Sequence, residues 1–452
     1  MEDKNEDKKS NIKTINTSFI DYLGDLYEQV YDKDSEGTFF VKYSKLSQEI
    51  EGVVEKVEIN ETIYKPIYND FVKKEFIYLS SEAKEYNNLS TLLQLIQQYI
   101  HKYLDITEFG EVLSSYYILL SWIYDNFETI PYLRFIGDYG TGKSRGLKVI
   151  GSICYKPIFA GGAITPSPIF RLIEQFKGTL VIDEADFSIS EHFAEIIKIL
   201  NCGYQKGLPV LRTEGDKKKE PTAFNVFSPK LIATRESFKD LALESRCLTE
   251  QMKGNPRPEI PFQLPKEFYK EGQDLRNMLL LFRFRYYGVV ELREDLRIEG
   301  IEPRINQIVM PILAIIENNK EREKIKQFII DYDKSLKTRR SAEIPALILL
   351  GIIETYRNGE ELNYKNISSQ INTDRDEKSG EFKISPTRIG RVNSAVLNFK
   401  TRRINGRTEL IWNENKIKDL CQRYGIDFIE NEADSNGLNK EEFDKLFPDK
   451  SL

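Results

Sequence analysis

The stretch YLRFIGDYGTGKSRGLKVIG, Tyr132 to Gly151, changes character twice. An apolar run breaks into glycines, then a lysine and a serine, and then apolar residues return at helical spacing. Gly137, Gly142, Lys143 and Ser144 fit G-x-x-x-x-G-K-[ST], the spacing of a loop that cradles phosphate between a strand and a helix. Glycines let the backbone curl, so that amide N–H groups converge on phosphate oxygens. A helix starting at about Lys143 aims its positive end at the same anion. Gly137, Asp138, Tyr139, Gly140, Thr141 and Gly142 would form the cradle. Lys143 would reach the β- and γ-phosphates, and the Ser144 hydroxyl would ligate Mg²⁺.

Composition bounds the rest. The chain has 452 residues, 40% hydrophobic and 30% charged, which fits a soluble globular protein of two to four domains. The opening MEDKNEDKKS lacks an apolar core, so no signal peptide is expected, and the longest apolar runs are too short for a bilayer. Cys154, Cys202, Cys247 and Cys421 are scattered and read as reduced thiols, so a cytoplasmic location is expected. Two histidines, His101 and His192, make a histidine-based metal site or triad improbable. A net charge of −6 excludes a general nucleic-acid coat and confines any such binding to a local patch.

The second signal is GTLVIDEADFS, Gly178 to Ser188. An apolar run ends in Asp183 and Glu184, so a buried strand delivers two carboxylates to its C-terminal edge, beside the loop. Asp183 would hold Mg²⁺ through water, and Glu184 would polarise the attacking water. Nucleoside triphosphate hydrolysis needs that metal anchor and that base. A third apolar strand, Lys230 to Ala233, ends in Thr234. Between these strands, LPVLRTEGDKKKEPTAFNVF reads as strand, turn, strand, with Lys217, Lys218 and Lys219 near the tip. Such a cluster suits either phosphate contacts or an ordinary solvated loop.

DEAD at Asp183–Asp186 invites comparison with the DEAD-box RNA helicases, but Lys143 and Asp183 are only 40 residues apart, much closer than in those enzymes. The compact spacing resembles AAA+ ATPases, above all superfamily 3 replicative helicases. That resemblance makes Thr234 a sensor of the γ-phosphate. SRC at Ser245–Cys247 looks like the arginine-finger motif of clamp loaders, with Arg246 lying 12 residues past Thr234. An arginine there would reach the neighbouring subunit's nucleotide; a surface ion pair is the alternative. The lysine-tipped hairpin resembles the one that grips nucleic acid in a central pore. After the proline-rich NPRPEIPFQLPKEF, helical periodicity resembles a lid, with Arg304 as second-sensor candidate in competition with Arg276 and Arg283. ATP rather than GTP is implied by the resemblance.

Towards the C-terminus, SAEIPALILLGIIETYRN, YKNISSQIN and ISPTRIGRVNSAVLNF read as three helices, the last with Ser385 as N-cap and Pro386 at the first position. KTRRINGRTELIW reads as a hairpin turning at Asn405 and Gly406. That order resembles a winged helix. From Glu381 to Arg407, Lys383, Arg388, Arg391, Lys400, Arg402, Arg403 and Arg407 face only Glu381, a local charge of +6. Arg388 and Arg391 beside a wing carrying Arg402, Arg403 and Arg407 would suit duplex DNA; protein contacts are the alternative. A calcium loop around Gly437 fails, because Phe443 stands where a glutamate is needed.

As a whole the chain resembles the helicase part of phage- and plasmid-type primase-helicases, without a primase module. The expected fold class is α/β: a P-loop NTPase (AAA+-like) core with a helical lid, a C-terminal winged helix and a small N-terminal β-rich region. The expected boundaries are a disordered tail at 1–16, the β-rich region at 17–88, a helical lead-in at 89–128 and the ATPase core at 129–250. The lid follows at 251–340, the winged helix at 341–425 and an acidic tail at 426–452. The resemblance implies an ATP- and Mg²⁺-dependent DNA motor that forms a homo-oligomer, a hexamer by preference, with no membrane contact. An ATP-switched DNA-binding initiator or regulator, and an ATPase that remodels protein complexes, stay open.

Overall fold

Strand-forming residues begin early. In the computed structural model, which describes residues 13–426 apart from 162–164, 184–190, 213–220, 239, 255, 342–343, 374–382 and 405, the first strand starts at Lys13. This is inside the stretch expected to be a disordered tail. Its β-branched Thr14, Ile15 and Thr17 pair in parallel with a later strand. The chain divides into two units, residues 1–325 and 326–452.

The first unit opens with seven short strands: β1 (Lys13–Thr17), β2 (Phe19–Tyr22), β3 (Asp25–Asp32), β4 (Gly37–Ser44), β5 (Glu49–Val54), β6 (Val57–Ile59) and β7 (Thr62–Pro66). They form a four-stranded antiparallel sheet, β2-β3-β4-β5, and a three-stranded one, β1-β7-β6. β3 is buried from Leu26 to Val30, charged Glu28 included. Glu28 is matched. Lys156 Nζ lies 2.8 Å from its Oε2, the Tyr155 hydroxyl donates to its Oε1 at 2.8 Å, and Arg283 Nε donates to the same oxygen. Arg283 also forks onto Asp125 at 2.9 and 2.7 Å. Two carboxylates thus face two cations in the interior, the arrangement that burial of charge demands.

A short helix α1 (Asp70–Lys73) precedes α2 (Leu89–Tyr103) and α3 (Glu108–Trp122). Asn88 and Thr107 cap the latter two by accepting from the amides of Thr91 and Gly110. α3 is buried on nearly every side. Two of its three serines bond to the helix itself, Ser115 donating to the Glu111 carbonyl and Ser121 to that of Ile118, while the buried Ser114 hydroxyl has no hydrogen-bond partner among the described residues.

The core sheet follows. Its parts are β8 (Tyr132–Ile136), α4 (Lys143–Gly151), β9 (Ile158–Ala160), α5 (Pro166–Phe176), β10 (Leu180–Ile182), α6 (Glu191–Cys202), β11 (Val210–Arg212), β12 (Thr222–Phe224), β13 (Lys230–Thr234), α7 (Leu241–Glu244) and β14 (Cys247–Gln251). β14-β8-β13-β10-β9 form one parallel sheet. β8, β10 and β13 are buried along their whole length, as the near-continuous apolar runs of a parallel sheet require. The two charged residues of these strands have their hydrogen bonds met in place. Arg134 on β8 forks onto Glu244 at 2.5 Å, and Lys230 at the head of β13 donates to the carbonyls of Gly203, Val226 and Ser228. With no carboxylate among those partners, burial holds the Lys230 ammonium well below the usual lysine range. Then come α8 (Lys266–Tyr286), α9 (Pro303–Ile315) and α10 (Asn319–Ser341).

The second unit holds α11 (Ile344–Arg357), α12 (Tyr364–Asn372), α13 (Pro386–Val392), β15 (Thr401–Ile404), β16 (Arg407–Leu410) and α14 (Glu414–Tyr424), the last within the stretch expected to be winged helix. Their own core includes Ile348, Ile352, Ile367, Ile389, Leu397 and Ile417. Ser385 caps α13 by accepting from the Arg388 amide, and Pro386 opens it. No helix among the described residues is long and apolar enough to cross a membrane. Residues 1–12, Glu381, Asn405 and residues 427–452, with the rejected calcium loop, lie outside the described residues.

Candidate nucleotide-binding site

Parallel pairing decides what meets at the sheet edge. Thr234 on β13 is level with Ile136 on β8, and Ile182 on β10 is level with Ile232 on β13. The residues following these strands therefore emerge at one carboxyl edge: the loop from Gly137, then Asp183, then the segment from Arg235. β8 lies between β13 and β14, although the chain leaves it for β9 at the far side of the sheet. Ligands of open parallel sheets bind at the carboxyl ends of strands beside such a change of direction.

The loop has the conformation that its glycines allow. Gly140 and Gly142 take φ of +73° and +91°, and Gly142 is the N-cap of α4, which starts at Lys143 as the sequence predicts. Gly137 is buried where a Cβ would come within 2.8 Å of Thr141 Oγ1 and 3.1 Å of the Met252 carbonyl. The Thr141 hydroxyl donates to the Asp138 carbonyl at 2.8 Å, closing the turn. Lys143 Nζ donates to the carbonyls of Gly137 and Asp138, at 2.7 and 2.6 Å, so its ammonium sits over the loop. Asp138, Tyr139 and Ser144 are exposed.

Asp183 follows β10 directly, half-buried, its amide donating to the Ala160 carbonyl at 3.1 Å. Thr234 is 1% exposed, and its hydroxyl has no hydrogen-bond partner among the described residues. Its carbonyl accepts from the Gly137 amide at 3.3 Å, so the orphaned hydroxyl lies one residue from the loop. Ser144 and Asp183 offer hard oxygen ligands of the kind Mg²⁺ takes, a carboxylate and a hydroxyl to be completed by phosphates and water. Among the described residues no cluster of three or more His, Cys, Asp and Glu could hold a metal by protein groups alone. The Glu184 and Lys217–Lys219 assignments lie outside the described residues. The strands flanking those lysines do pair as a hairpin, Val210 against Phe224.

Arg246 is not brought to this edge. It precedes β14, and its carbonyl accepts from the Tyr132 amide at the start of β8. β8 has five residues, so Arg246 stands about 16 Å from the loop of its own chain, at the amino edge of the sheet. Its guanidinium lies 4.1 Å from the Tyr204 ring centroid and donates to Asn201 Oδ1. Arg304 shares that ring, at 5.7 Å. The other two second-sensor candidates are committed elsewhere. Arg276 donates to Ser152 O at 2.7 Å and to Gln273 Oε1 at 2.6 Å, and Arg283 holds Glu28 and Asp125. None of the three is brought to the loop by the contacts it makes.

Sequence reasoning missed three neighbours. Met252 and Gly254 lie just past β14: a Cβ on Gly142 would come to 3.5 Å from Met252 Cε, and one on Gly254 to 3.8 Å from Thr141 Cγ2. Arg235 lies 4.0 Å over the exposed ring of Tyr139. Adjacency of Arg235 to Thr234 was a usable signal; the position of Met252 depends on β14 pairing with β8 and had none. Burial pushes the Cys154 and Cys247 thiols up to about 12, so both stay protonated and inert.

In the second unit, Arg402 and Arg403 on β15 and Arg407 on β16 are exposed on the hairpin, as is Arg391 on α13; Arg388 is half-buried. The patch is weaker than the sequence count implies. Arg402 lies 3.3 Å from Glu409, buried on the paired strand just outside the counted stretch.

No family model matches the chain, and no curated protein matches it. Among solved structures the chain is similar to the C-terminal region of NrS-1 in its apo A form, with 14% identity and a TM-score of 0.35 over 86% of this chain and 97% of that one. It is also similar to an inhibitor-bound helicase of JC virus, with 16% identity and a TM-score of 0.25 over 55% of this chain and 61% of that one. Identities and TM-scores this low assign nothing to this chain.

Proposed function

We propose that this chain is an ATP-hydrolysing DNA motor, of helicase or translocase type, whose subunits close into a ring. One observation carries the proposal: the glycine loop, Asp183 and the unpartnered Thr234 hydroxyl converge on one edge of a parallel sheet, while Arg246 occupies the opposite edge. A site split between two edges is completed by a second copy meeting the first head to tail, the contact that generates rings.

In this reading the loop amides and Lys143 hold and orient the triphosphate, placing the γ-phosphoryl group at the carboxyl edge. Mg²⁺, held by Ser144 and Asp183, would neutralise charge developing between the β- and γ-phosphates. Glu184 orients the attacking water, and Thr234 donates its hydroxyl to the γ-phosphate oxygens. Arg246 of the adjacent subunit supplies positive charge to the transition state. The exposed hairpin arginines support DNA as the polymer, because cations on a protruding hairpin suit phosphates. A hexamer is the ring expected.

Steady-state ATP turnover without DNA, with single strands and with duplex tests this, in wild type, Lys143→Ala and Glu184→Gln. Turnover stimulated by single strands and lost in both variants is the expected result. Slow turnover indifferent to DNA would instead favour an ATP-switched duplex-binding regulator, a reading supported by the same hairpin arginines. Full turnover in Lys143→Ala would remove the site assignment altogether.

A further inference from the structure

We infer that Arg304 works with Arg246 as a second arginine acting on the nucleotide of the adjacent subunit, rather than as a sensor for its own. The inference rests on the ring reading above and deepens it. Arg246 is 8% exposed, yet its Nε has no hydrogen-bond partner among the described residues, and neither arginine forms an ion pair there. The acid closest in influence, Asp240, is already spent: Oδ1 accepts from the amides of Ala242 and Leu243, and Oδ2 from Asn201 Nδ2. Asn201 thereby turns its Oδ1 to Arg246.

Arg304 is the second residue of α9, after Pro303. A cation in the first turn opposes the helix dipole and adds to the positive potential already there. Its one described hydrogen bond is a local one, from Nη1 to Gln307 Oε1 at 2.5 Å. The Tyr204 ring, 8% exposed, collects both guanidiniums, and its carbonyl is fixed by the Ile130 amide at 3.0 Å, just ahead of β8. Two guanidiniums that no carboxylate pairs with directly among the described residues, a helix N-terminus and a buried unpartnered N–H thus share the amino edge of the sheet, with Asp240 acting on Arg246 only at a distance. What they lack is an anion in contact. They cannot take it from their own loop, which leaves the opposite edge. A polyphosphate presented by a second copy is a complementary partner, because guanidinium groups pair with phosphate in forked geometry.

Subunit mixing tests this. Lys143→Ala chains keep their arginines but have no working loop, and Arg304→Gln chains have the reverse. In an equal mixture, about a quarter of junctions combine an intact loop with an intact arginine edge. The expected results are that Arg304→Gln alone binds ATP as wild type, turns it over about 10²-fold more slowly, and recovers activity when mixed with Lys143→Ala. An Arg246→Ala mixture with Lys143→Ala is the control for the ring. If the Arg246 mixture recovers and the Arg304 mixture does not, Arg304 acts within its own chain and the inference is overturned. Wild-type turnover by Arg304→Gln alone overturns it too. If neither mixture recovers, the ring reading itself has failed.

Discussion

Thr234 can be probed without disturbing shape. Valine matches threonine in outline but lacks the hydroxyl, and a buried unpartnered hydroxyl costs about 1–3 kcal/mol. Thr234→Val is therefore expected to leave stability equal or higher by about 1 kcal/mol, while ATP turnover falls about 10²-fold, the usual cost of one lost transition-state donor. Opposite signs in denaturant midpoint and turnover would identify a functional donor; unchanged turnover would reduce the hydroxyl to a packing flaw. Gly110 makes the contrasting case. A Cβ there would come within 2.6 Å of the Glu250 carboxyl carbon, and Glu250 accepts from both the amide and the hydroxyl of Thr107 at 2.9 Å. Gly110→Ala should cost about 1–3 kcal/mol in a urea melt by displacing that buried carboxylate.

At the level of elements, what was legible depended on range. The strand–loop–helix from Tyr132 to Gly151 is specified by neighbours in sequence, and so are the Ser385 cap and the hairpin around Gly406. Thr234 was legible as the end of an apolar run, because a buried parallel strand must stop at the sheet edge. Sheet order was not legible. That β13 separates β8 from β10, and that β14 returns beside β8, decides which groups meet Met252 and where Arg246 stands. The surroundings of Arg304 were not legible for the same reason, since its neighbour Tyr204 is a hundred residues away in the chain. Glu28 on β3 gave no sign of its role, because its partners lie at Lys156 and Arg283. Glu28→Gln leaves two cations facing the interior with one carboxylate fewer, and should cost about 3–5 kcal/mol in equilibrium unfolding.

Across the whole molecule, the residues that read as chemistry and the exposed hairpin arginines Arg402, Arg403 and Arg407 fall in different units, before and after residue 325. They should be separable by experiment. Arg403→Ala and Arg407→Ala together should weaken duplex binding at all sequences and reduce the slope of log affinity against log salt by about two, with ATP turnover in the absence of DNA unchanged. An unaltered salt slope would move the DNA surface elsewhere. The N-terminal sheets behave in the opposite way. Arg283, on a helix 21 residues long, and Lys156, between the phosphate-loop helix and the next strand, are neutralised in part by a single carboxylate of β3. A chain trimmed to begin at the core would therefore be poorly folded. The opening strands are a keystone rather than an attachment, and a core grafted onto a different leader needs that one glutamate to travel with it.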